Sequence, residues 1–73
     1  MKQYRIQLDF SEDAFLELEK LESTLGAPSR AEVIRNALGV LRWVTDHLKE
    51  GDKILVQQKN SRLTEVEFPF IRR

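Results

Sequence analysis

Across residues 2–10 apolar and polar side chains alternate, with Tyr4, Ile6, Leu8 and Phe10 on one parity and Gln3, Arg5, Gln7 and Asp9 on the other. A period of two predicts a β-strand buried on one face. The period then changes. Ala14, Phe15, Leu18, Leu21 and Leu25 recur at helical spacing, behind Ser11, a good N-cap, and Glu12 and Asp13, whose charges suit a first turn. Gly26 suits the left-handed position that ends a helix. The pattern predicts a first helix over 11–25, with Asp9 capping or bracing its start.

After Gly26-Ala27-Pro28, Ser29 and Glu32 make the S-x-x-E pattern of a capping box. It opens a long second helix through Val33, Ile34, Ala37, Leu38, Leu41, Val44 and Leu48, ending near Glu50 and Gly51. Val40 and Trp43 widen its apolar stripe beyond what one neighbouring helix covers. Gly39 costs about 1 kcal/mol in mid-helix, which predicts the close approach of another backbone there. Two strand-like runs, 53–58 and 64–70, flank the polar Lys59-Asn60-Ser61-Arg62 and predict a hairpin, with Val66, Phe68 and Phe70 on its buried face. Pro69 lacks a backbone donor and belongs at an edge or a strand end. Arg72 and Arg73 read as a tail.

At 73 residues, 41% hydrophobic and 33% charged, the chain is one small folding domain rather than a disordered tail. Below roughly 70–80 residues a single core supplies only about 3–5 kcal/mol unless disulfides, a metal or a partner subunit add to it. The sequence has no cysteine and one histidine, so self-association is the remaining device. No signal-peptide pattern and no run of about 20 apolar residues occurs, which predicts a soluble, cytoplasmic protein with no membrane partner.

Lys+Arg and Asp+Glu balance at 12 each. The distribution is uneven, however. Residues 1–8 carry only Lys2 and Arg5, whereas 9–32 carry Asp9, Glu12, Asp13, Glu17, Glu19, Glu22 and Glu32 against Lys20 and Arg30. A neutral chain so arranged can present a local anion-binding face.

A lone N-terminal strand needs a partner. It can pair with the C-terminal hairpin of its own chain or with its own copy from a second chain. At this point the sequence resembles the ribbon-helix-helix family of DNA-binding proteins, the Arc, MetJ and CopG type. The resemblance is carried by Arg5-Ile6-Gln7-Leu8-Asp9-Phe10-Ser11, by Leu18-Glu19-Lys20-Leu21, and by Gly26-Ala27-Pro28-Ser29-Arg30-Ala31-Glu32-Val33-Ile34-Arg35-Asn36-Ala37-Leu38. It covers about residues 2–50. The turn departs from the family pattern by one extra residue, Pro28, and the strand by its acidic Asp9.

The resemblance implies an α+β, mainly α fold: a homodimer joined by an intermolecular two-stranded antiparallel ribbon, with a DNA-binding domain over 1–50 and a hairpin extension and tail over 51–73. It implies a transcriptional repressor that lays its ribbon in the major groove of double-stranded DNA. Carried over by position, Gln3, Arg5 and Gln7 read bases, and Ser29 and Arg30 contact a phosphate at the start of the second helix. The chemistry suits these roles. Arginine pairs with guanine O6 and N7, glutamine with adenine N6 and N7, and free N–H groups at a helix start attract phosphate. Two dimers on adjacent half-sites would make a tetramer.

Each sign also has a plainer reading. Gln3, Arg5 and Gln7 are the polar face of any half-buried strand, Ser29 and Glu32 cap a helix with or without DNA, and the acidic first helix is a solvated face. His47 alone does not make a zinc site, so no metal is expected. Without a nucleophile and base pair or a glycine-rich phosphate loop, neither enzyme activity nor a cofactor is expected. The alternative function is an antitoxin or adaptor whose C-terminal hairpin binds a partner protein.

Overall fold

The computed structural model describes residues 1–72, and Arg73 of the expected tail lies outside them. The fold is α+β: helix α1 (Glu12–Leu25), helix α2 (Arg30–Lys49), and strands β1 (Leu55–Gln57) and β2 (Leu63–Glu65), paired antiparallel. Two compact units divide the chain, Met1–Arg35 and Asn36–Arg73, with the division inside α2. No helix among the described residues is long and apolar enough to cross a membrane.

Both helices stop where local hydrogen bonding stops them. Ser11 accepts from the Ala14 N–H at 3.2 Å and starts α1. Ser11 is thus the N-cap that the pattern predicts, and Asp9, expected to cap or brace the same start, makes no side-chain hydrogen bond among the described residues. Gly26, at φ 60°, closes the helix in a Schellman motif: its N–H donates to the Ser23 carbonyl at 3.2 Å, and that of Ala27 to Glu22 at 3.1 Å. Gly51, at φ 88°, repeats the motif after α2, with its N–H on Leu48 at 3.1 Å and that of Asp52 on His47 at 3.0 Å.

The capping box of α2 is half formed. Ser29 Oγ accepts from the Glu32 N–H at 3.2 Å, but the Glu32 carboxylate takes the Arg35 guanidinium at 3.2 Å instead of returning to Ser29.

The hairpin is shorter than its pattern. Leu55 faces Glu65 and Gln57 faces Leu63, with one further ladder bond from the Val66 N–H to Ile54 at 2.9 Å. Beyond that, β2 has nothing to pair with, because the Asp52 N–H is already committed to the cap of α2. Near Pro69 the chain turns, with the Ile71 N–H on the Phe68 carbonyl at 3.0 Å. Phe70 therefore leaves the face shared by the half-buried Val66 and Phe68, and stands exposed. The hairpin loop reverses through Ser61 in the left-handed region, at φ 67°.

Residues 1–10 form neither helix nor strand, and their backbone groups make no turn, cap or ladder bond among the described residues. β1 and β2 pair with each other in a two-stranded sheet.

Candidate nucleic-acid interface

Within the first unit, the segment before α1 presents its two parities side by side. Gln3, Arg5 and Gln7 are exposed, and no carboxylate among the described residues pairs with Arg5. The opposite parity is just as bare: Tyr4 is 83% and Ile6 77% exposed. Ile6, Leu8 and Phe10 with Phe15, Leu18 and Ile34 line an open trough of about 420 Å³, whose polar members are Asp9 and Arg30.

Ser29 and Arg30 sit at the start of α2, as the sequence pattern placed them. The Ser29 hydroxyl is occupied as a cap. Arg30 is half-exposed and held on three sides: its guanidinium lies 4.7 Å from the Phe15 ring centroid, 3.3 Å from Glu22 and 3.5 Å from Glu19. These exposed pairs are screened and weak, so a phosphate can compete for the same cation.

Apolar side chains are widely exposed within each unit. Only Val33 in the first unit and Val44 and Leu48 in the second are buried among the described residues. Burying one such side chain stabilises by about 1.5–3 kcal/mol, against about 1–2 kcal/mol of backbone entropy for each residue ordered. Along α2, Leu38, Val40 and Trp43 are more than half exposed. The hairpin does not cover Val40 and Trp43. A Cβ added at Gly39 meets nothing within 4 Å, so the close approach expected there is not made within one chain.

The sequence reading missed one cluster. His47 Nδ1 lies 2.7 Å from Asp52 Oδ2, and donor atoms of His47, Glu50 and Asp52 all stand within 4.8 Å of one another. The signal was present as the spacing H-x-x-E-x-D, but only the reversal at Gly51 folds the third residue back over the first. Comparison with family models, with curated proteins and with solved structures finds no match to this chain.

Proposed function

We propose that this protein is a ribbon-helix-helix repressor: a homodimer in which residues 3–9 of two chains pair antiparallel and insert into the major groove of double-stranded DNA. The observation that carries this reading is the N-terminal segment. Its alternating side chains form two exposed parities, an apolar one bordering the open trough and one composed of Gln3, Arg5 and Gln7. A ribbon between two copies satisfies the free backbone groups of both strands, covers Tyr4, Ile6, Leu8 and Phe10 against the helices, and leaves the amide and guanidinium tips outward.

In this reading Gln3, Arg5 and Gln7 discriminate bases at about 1–3 kcal/mol per good bidentate pair. The N-terminus of α2, at Ser29 and Arg30, grips a phosphate and sets the register. A two-fold protein calls for a roughly palindromic site. The acidic face of α1 repels the duplex elsewhere and confines contact to the ribbon.

The test combines a solution mass with selection from random duplexes. A mass of twice 8.6 kDa or a multiple of it, and enrichment of a palindromic sequence, are expected. A monomer at micromolar concentration, or binding without sequence preference, overturns the proposal.

A second reading, an antitoxin or adaptor, draws on the hairpin, where Leu55, Val56 and Leu63 are exposed. A chain truncated after Gly51 that still selects the same DNA but no longer retains a co-purifying protein would favour it.

A further inference from the structure

We propose that His47, Glu50 and Asp52 form a binding site for a first-row divalent transition-metal ion at the junction of α2 and the hairpin. Three observations converge. The Schellman motif at Gly51 holds the three side chains together, with donor atoms within 4.8 Å of one another. The shortest separation, His47 Nδ1 to Asp52 Oδ2 at 2.7 Å, is a hydrogen bond that need lengthen only by a few tenths of an ångström to reach the edge of about 3 Å between adjacent ligands of a six-coordinate ion with bonds of ~2.1 Å.

Charge supplies the second observation. Glu50 and Asp52 follow the last residue of a 20-residue helix whose last turn carries His47 and Lys49, at the end where the macrodipole is itself negative and favours cations. No lysine or arginine among the described residues lies within ion-pair distance of either carboxylate, and the adjacent Lys53 reaches across to Glu65 at 3.6 Å instead. A bound dication would pair directly with both carboxylates.

The third is the donor set. One imidazole with two carboxylates suits a borderline ion such as Zn²⁺, Ni²⁺ or Cu²⁺ better than Mg²⁺ or Ca²⁺, which prefer oxygen throughout. Water completes the coordination on the open side, since Glu50 and Asp52 are exposed.

The site carries its own reporter. Trp43, the sole tryptophan, meets the His47 ring edge to face at a centroid distance of 4.6 Å, so an open-shell ion on the imidazole quenches its fluorescence by contact. The site is independent of the DNA-binding reading and is tested on the untagged full chain without DNA. Titration with NiCl2 should give saturable quenching at one ion per chain, reversed by ZnCl2, which competes but does not quench. Glu50→Gln and Asp52→Asn, both exposed and outside the packed parts of the fold, should each raise the midpoint about tenfold or more with an unchanged circular dichroism spectrum. Quenching that climbs linearly without saturation, or a midpoint unmoved in both variants, overturns the proposal.

Discussion

The guanidinium of Arg30 lies over the ring of Phe15, 4.7 Å from its centroid, so the first residue of α2 is fastened to the first half of α1. Glu19 and Glu22 approach the same guanidinium from α1, but as half-exposed pairs they orient it more than they stabilise it. A double-mutant cycle with Phe15→Leu and Arg30→Met should give a coupling of about 0.5–1 kcal/mol in urea unfolding at fixed protein concentration. A coupling of zero would show that the stack contributes only position.

Arg5 and Arg30 should fail in different ways on DNA. Arg5→Ala is expected to erase preference at one base pair, a loss of about 1–3 kcal/mol in discrimination, with the dimer mass unchanged. Arg30→Ala should weaken all sequences alike and lower the slope of log affinity against log salt by about one. Gel shifts at several salt concentrations on matched and mismatched duplexes separate the two. Identical profiles for both variants would remove Arg5 from the reading face.

Ile6→Lys places a charge on the apolar parity of the N-terminal segment. If that face is covered by a second chain, sedimentation should show the mass falling toward that of one chain at micromolar concentration, and DNA binding should go with it. Retention of the dimer would move the interface elsewhere.

Gly39→Leu tests the interface from the other side. Leucine favours a helix over glycine by nearly 1 kcal/mol, and one chain offers open space at this position. Weaker dimerisation with helicity retained is therefore expected only if a second backbone approaches. Stronger dimerisation or none of either effect would place Gly39 on a free surface.

Ser61 holds φ 67° in the hairpin loop, a conformation that costs an L-residue about 1–2 kcal/mol and glycine nothing comparable. Ser61→Gly should stabilise by about 1 kcal/mol and raise Tm by about 4–8 °C in thermal unfolding at constant protein concentration. A lower Tm would mean that the serine is required for more than the turn.

Several of these features were legible one residue at a time. Ser11, Gly26 and Ser29 marked helix ends correctly because each satisfies backbone groups within five residues of itself, and the hairpin loop announced itself through its polar run. The reach of β2 was not legible: Val66, Phe68 and Phe70 alternate as a strand would, yet pairing ends at Val66 because the opposite chain is committed to the cap of α2. Nor could the return arm of the capping box be read, since Arg35 competes for Glu32 and which contact forms depends on rotamers. The candidate base-reading residues were visible as a parity, whereas the grouping of Glu50 and Asp52 with His47 was not.

By itself, then, the sequence determined where the helices begin and end and which positions share a face, because hydrogen bonds between near neighbours and the repeat angle of the backbone decide both. The tertiary structure alone decided how far the strands pair, which apolar residues are covered, and that the Asp52 carboxylate returns to the His47 imidazole. Those outcomes depend on partners distant along the chain or folded back by a left-handed residue, and no local pattern encodes whether such a partner is already taken.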